Sequence, residues 1–112
     1  MSNYKYHCRI EKTFRDLELS NRPALVTFIT AGDPDFNNSK EILLNLPKAG
    51  ADIIEIGVPF TDPMADGPII QKSYKRALLK GINLDSVLKL VKIFRETNNY
   101  TPIVLMGYFN PI

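Results

Sequence analysis

Two hydrophobic periods alternate along this chain. Ile10, Phe14 and Leu17 recur at helical spacing, which predicts a short amphipathic helix near residues 8–19. Ser20-Asn21-Arg22-Pro23 breaks that pattern. Ala24 to Thr30 is apolar and β-branched, as expected of a buried strand. Ala31-Gly32-Asp33-Pro34-Asp35 follows as a turn, with Asn38 or Ser39 placed to cap a second helix. That helix carries Ile42, Leu43 and Leu46 on one face, Ala49 continues the stripe, and Pro47 should kink or shorten it. Gly50 ends it, and Ile53 to Gly57 form a second strand. Ile70, Tyr74, Ala77 and Leu78 line one side of a third helix closed by Gly81. Asn83 or Asp85 caps a fourth, with Leu84, Val87, Leu88, Val91 and Phe94 as its apolar residues. Thr101-Pro102 then leads into a third apolar strand, Ile103 to Gly107.

Strands that alternate with helices and read as continuous apolar runs imply a parallel sheet covered by helices. Each strand is followed by a polar or glycine-bearing segment: Thr30 to Asp33, Gly57 to Asp66, and Gly107 to Asn110. These exits lie at the C-terminal ends of the strands, where α/β barrels and open α/β sheets carry their sites. The text stops as a strand ends, so residues 1–112 are expected to be the N-terminal, incomplete part of one larger β/α domain.

Composition narrows the function classes. The 112 residues are 45% hydrophobic and 23% charged, the profile of ordinary globular material. Fourteen basic side chains face twelve acidic ones, a balance that argues against nucleic acid or a membrane surface as partner. Cys8 is the single cysteine, which excludes an internal disulfide and suits a reducing compartment. No apolar stretch approaches the ~20 residues of a membrane span, and the N-terminus lacks a signal-peptide core. The cytoplasm is the expected location.

The chemistry concentrates after the second strand. Glu55 is a lone carboxylate within an apolar run, and Asp62 and Asp66 follow in a loop that also carries Pro59, Pro63 and Pro68. Burying an ionised carboxylate without a partner is costly. A carboxyl group at a strand end can instead take and give a proton, as general acid–base catalysis requires. Equally, Glu55 could pair with a Lys or Arg or emerge into solvent. The prolines stiffen the loop, and Gly57 and Gly67 permit close backbone approach, so Asp66 can be held near Glu55 without regular structure. Glu55, Asp62 and Asp66 also suit a hard cation such as Mg²⁺, although no comparable acidic cluster follows the third strand. Lys72, Lys75, Arg76 and Lys80 form a basic stripe that reads as a solvated helix face. His7 stands away from the strand ends, and no glycine-rich phosphate loop is present.

Glu55-Ile56-Gly57-Val58-Pro59-Phe60-Thr61-Asp62-Pro63-Met64-Ala65-Asp66-Gly67-Pro68-Ile69-Ile70-Gln71 resembles the signature of the tryptophan synthase alpha chain family. Phe28 to Pro34 resembles that family's first strand and its exit, and Met106 to Ile112 its third. The resemblance implies a (β/α)8 TIM barrel, typically about 250 residues long, of which this chain carries an N-terminal helix and the first three strands. It implies a lyase of tryptophan biosynthesis that cleaves indole-3-glycerol phosphate, by a retro-aldol step, to indole and glyceraldehyde 3-phosphate. Indole then passes to a beta chain for condensation with serine.

By the same resemblance Glu55 is the general acid–base residue and Asp66 the carboxylate that stabilises positive charge on the indole nitrogen. Phe28, Ile70 and Tyr108 line the indole pocket, although plain barrel core is an equal reading for Ile70. Pro59 and Asp62 meet the beta chain in an α2β2 heterotetramer. No metal and no cofactor belong to this chain; pyridoxal phosphate is expected on the beta chain. Barrel phosphate sites come from the loops after the seventh and eighth strands, so those residues are expected beyond residue 112, and the fragment alone should be inactive. Two other readings stand beside this one: a different (β/α)8 enzyme of a phosphorylated small molecule, and a non-catalytic protein whose proline-rich loop regulates a partner.

Overall fold

The computed structural model describes residues 8–61 and 65–108. The elements run α1 (Arg9–Leu19), β1 (Val26–Thr30), α2 (Phe36–Asn45), β2 (Ile53–Gly57), α3 (Pro68–Leu79), α4 (Leu84–Thr97) and β3 (Ile103–Met106). The three strands form one parallel sheet in the order β1-β2-β3. Both the element order and the parallel pairing agree with the hydrophobic pattern.

Alternation along the strands separates two faces. Ile54 and Ile56 are wholly buried and join Leu43 of α2, Ala77 of α3, and Val87, Leu90 and Phe94 of α4 in one core. Glu55 and Gly57 belong to the opposite face. On that face Val26, Phe28 and Met106 keep 46%, 36% and 42% of their surface exposed, so among the described residues the helices cover it only in part, with α3 reaching over the strand ends.

Local chemistry sets the element ends, and some differ from expectation. The α2 cap is Asp35, whose carboxylate accepts the Asn38 amide at 2.8 Å, rather than Asn38 or Ser39. Such a cap contributes about 1 kcal/mol. Ser39 instead turns inward, fully buried, and its hydroxyl accepts the Gly32 amide at 3.0 Å. Pro47 falls beyond the end of α2 at Asn45, so it shortens the helix without kinking it. Of the two residues offered as the α4 cap, Asn83 takes the position and forms a reciprocal capping box with Ser86. Pro68 opens α3, where its missing amide costs nothing.

The first strand starts two residues late because the Leu25 amide goes to the Asp52 carboxylate, which the Arg22 guanidinium also holds. The third strand ends at Met106, one residue short of the expected Gly107. In α1 only Leu17 of the apolar stripe is buried, while Ile10 and Phe14 remain exposed. That helix is tied to the α4–β3 turn by polar groups, with Arg9 donating to the Asn99 backbone and side chain at 2.7 and 2.8 Å.

Candidate functional site

Glu55 is the central residue of β2, and its strand partners are Phe28 on one side and Val104 on the other. A parallel register puts these three side chains in one row on the partly open face of the sheet. Glu55 is half-buried, and among the described residues no hydrogen bond or ion pair reaches its carboxylate. The alternative of a pairing Lys or Arg therefore finds no support among those residues. Burial on the core side comes from Ile54 and Ile56, so Glu55 meets the sheet's open side by the alternation of the strand alone.

Asp66 lies just before the start of α3, and its carboxylate accepts the Tyr108 phenol at 2.8 Å. The same phenol oxygen accepts the Ala65 amide at 3.1 Å, which fixes the loop against the exit of β3. Gln71, one turn into α3, donates to the Asp66 carbonyl at 2.6 Å. Phe60 stacks on the Tyr108 ring with centroids 4.9 Å apart. Asp66 is thus presented by a loop that is held at both ends. Asp62 lies outside the described residues, and Pro59 is buried within the chain.

The expected aromatic-pocket residues fall into two places. Phe28 and Ile70 share a groove of about 290 Å³ with Thr30, Asp33, Ser73 and Arg76. Tyr108 stands instead beside Asp66. At the groove, Asp33 accepts Arg76 Nε at 2.8 Å, Arg76 Nη2 at 2.9 Å and the Ser73 hydroxyl at 2.6 Å. This bidentate contact clips the exit of β1 onto α3. The Arg76 hydrogen bond holds the Asp33 carboxyl below the ordinary carboxylate range, with the Ser73 hydroxyl adding to it against the opposing effect of burial. Arg76 is therefore a partner of the β1 exit rather than one more charge on a solvated stripe.

Tyr74 was expected only as a core residue of α3. It is buried, at 3% exposure, but it also stands against the site. A Cβ added to Gly57 would meet Phe28 Cζ at 2.6 Å, the Tyr74 hydroxyl at 2.9 Å and Tyr74 Cε1 at 3.0 Å. The absence of a side chain at residue 57 is what lets both rings close over the end of β2. Burial, and then the charges of Asp66 and Tyr108, push the Tyr74 phenol up to about 12. Two sequence signals bear on this residue: a polar-tipped aromatic on an apolar helix stripe, and a glycine two positions after a lone strand carboxylate.

Among the described residues no cluster of three or more His, Cys, Asp or Glu side chains has the makings of a metal site. The arrangement offers two carboxylates of different character, Glu55 without a partner among the described residues and Asp66 braced by a phenol, beside aromatic walls. Such a pair can exchange a proton at one atom of a planar ligand while stabilising charge at another.

Residues 14–112 match the family model described as tryptophan synthase alpha chain. A tryptophan synthase subunit alpha from Legionella pneumophila str. Paris is 46% identical with a TM-score of 0.93, over 96% of this chain and 41% of that one. A mutant tryptophan synthase alpha-subunit from Pyrococcus furiosus is 48% identical with a TM-score of 0.75, over 80% of this chain and 36% of that one. Tryptophan synthase from M. tuberculosis, in its aminoacrylate-bound form, is 34% identical with a TM-score of 0.82, over 92% and 41%. The chain thus spans about two fifths of the length of the solved structures it matches.

Proposed function

This chain belongs to the tryptophan synthase alpha chain family, whose fold is a (β/α)8 barrel, and we propose that the full-length protein carrying it cleaves indole-3-glycerol phosphate to indole and glyceraldehyde 3-phosphate. In this reading residues 1–112 are the N-terminal part of the single barrel domain. The observation that carries the reading is the arrangement at one end of the sheet: Glu55, unpaired among the described residues, in register with Phe28, and Asp66 held by Tyr108 at 2.8 Å beyond the same strand.

The step needs two proton movements. Indole C3 gains a proton as its bond to the side chain breaks, and the side-chain hydroxyl loses a proton as it becomes the aldehyde. Glu55 is the residue we assign to this exchange, because a carboxyl free of other partners can serve both directions. Protonation at C3 leaves positive charge on the indole nitrogen, which the Asp66 carboxylate stabilises while it accepts the ring N–H. Phe28 supplies a flat apolar wall for the ring, with Ile70 in the groove beside it and Tyr108 behind Asp66. The chemistry of the step uses these groups without a resident cofactor or metal.

The proposal extends to the partner. Asp62, in the loop between the two carboxylates, is assigned to contact with a beta chain that carries pyridoxal phosphate, in an α2β2 assembly of tryptophan biosynthesis, and Pro59, buried within the chain, is assigned to stiffening that loop. A cytoplasmic enzyme is the setting we assign, and no helix among the described residues is long and apolar enough to cross a membrane. The test is Glu55→Gln in the full-length protein. Release of indole should fall by about 10²–10⁴-fold, the typical worth of general acid–base catalysis, while substrate affinity stays within a few-fold. Near-normal turnover in that variant would overturn the assignment.

A further inference from the structure

Tyr74 carries a feature that the proposed chemistry leaves unused. Its ring is buried, yet among the described residues its hydroxyl has no hydrogen-bond partner. Thr27 is the described residue whose sealed side-chain oxygen lacks a partner, so the Tyr74 hydroxyl is not sealed in the same way. Its direction follows from Gly57. The Cβ that residue 57 lacks would project from the Glu55 face of β2, because residues two apart on a strand share a face. The Tyr74 hydroxyl and Phe28 Cζ both lie within 3 Å of that point. The hydroxyl therefore reaches over the strand end from α3 and stands at the edge of the Phe28 ring.

A planar ligand stacked on Phe28 presents its rim to that hydroxyl. Burial, and after it the Asp66 charge, keeps the Tyr74 phenol neutral at ordinary pH. A neutral phenol is both a donor and an acceptor. Its oxygen can accept a ring N–H.

We propose that Tyr74 is a further specificity-determining residue of this site, its hydroxyl meeting the polar edge of a planar heteroaromatic ligand that lies on Phe28 and recognising, together with Asp66, the ring N–H. The inference rests on the functional reading above and names a recognition element within it. A buried polar group satisfied by the ligand discriminates strongly, because an analogue without the matching group leaves it unpaired.

The test compares indole with benzofuran, which keeps the ring shape and replaces N–H by an oxygen. Their dissociation constants are measured by calorimetry on the full-length wild-type protein and on Tyr74→Phe, with melting temperatures recorded for both. Wild type should prefer indole. The variant should lose roughly three- to ten-fold of that preference, the worth of one neutral hydrogen bond, with benzofuran affinity and melting temperature unchanged. An unaltered preference, or a wild type that binds neither ring, overturns the proposal. Equal loss of affinity for both rings with a lower melting temperature assigns Tyr74 to packing and overturns it as well. Turnover of indole-3-glycerol phosphate by wild type is scored separately. Its absence sinks the functional reading, while the binding ratio still decides the role of Tyr74.

Discussion

Replacing Gly32 by alanine should damage the exit of β1 more than any similar change at an exposed glycine. Gly32 has φ +82°, the left-handed region, where an L-residue with a Cβ costs about 1–2 kcal/mol. The new methyl would also overlap Ile82 Cγ1 and stand 2.5 Å from Cδ1 and 3.1 Å from Cβ. Ile82 is itself buried in the core, so it has little room to retreat. Overpacking of this kind adds about 1–3 kcal/mol. Alanine restricts the unfolded chain, which offsets about 0.4–1 kcal/mol. The expected net loss is about 2–4 kcal/mol. Gly81 is the internal control: its φ is +81°, but nothing lies within 4 Å of an added Cβ. Gly81→Ala therefore carries the conformational term alone, about 1 kcal/mol. Urea unfolding of the full-length protein, followed by circular dichroism, gives both values at constant m. A double cycle with Ile82→Ala should show coupling of at least about 1 kcal/mol, since that change removes the two nearest atoms. Gly32→Ala costing no more than Gly81→Ala, or strict additivity in the cycle, would refute the argument.

Other outcomes follow from the same geometry. Asp33 has a lowered folded-state pKa, so its contribution to stability is present above the unfolded value of ~3.9 and is lost as pH falls through the folded one. In Arg76→Met the slope of stability against pH below about pH 4 should flatten, and an unchanged slope would show that the pair does not matter. The Tyr74 phenol is raised, so its contribution holds below ~10 and declines as pH rises towards about 12, and Tyr74→Phe should soften alkaline unfolding over that window. Asp66→Asn should lower indole release while leaving the far-ultraviolet spectrum intact, and wild-type rates in that variant would remove the carboxylate from the chemistry. Residues 1–112 expressed alone expose Val26, Phe28 and Met106 on the open sheet face, so they should bind a hydrophobic dye, associate, and fail to cleave substrate. A monomeric, cooperatively melting, active product would contradict this.

The strands were legible because each is a mainly apolar, β-branched run with glycine, proline or a polar turn at its ends. The second was placed to the residue, since Gly50, Ala51 and Asp52 precede it and a proline loop follows. Features set by which side chain reaches a neighbour first were harder. Asp35, Asn38 and Ser39 are all good caps, and only packing decides that Ser39 turns inward to Gly32 and leaves the cap to Asp35. The Asp33–Arg76 clip joins residues forty-three positions apart, beyond any local period, so Arg76 looked like one charge in a stripe. In the site, Glu55 and Asp66 stood out as carboxylates in apolar or proline-rich surroundings. Tyr74 did not, because helical spacing counts its ring as core and says nothing of where its hydroxyl ends. The outward Ile10 and Phe14 of α1 mark the opposite failure, a stripe with no surface to meet among the described residues.

The sheet order follows the order of synthesis. Val26 pairs with Ile53, and Ile54 pairs with Ile103, so each strand finds its neighbour in the βα unit made immediately before it. No strand here waits for one that comes later in order to sit between two others. A nascent chain can therefore lengthen this sheet by addition at one free edge as residues leave the ribosome, with one helical crossover to close at each step. The row that holds Phe28, Glu55 and Val104 is laid down in that same sequence. The site's first wall is then set before the strand that carries Glu55, and the phenol that braces Asp66 arrives last.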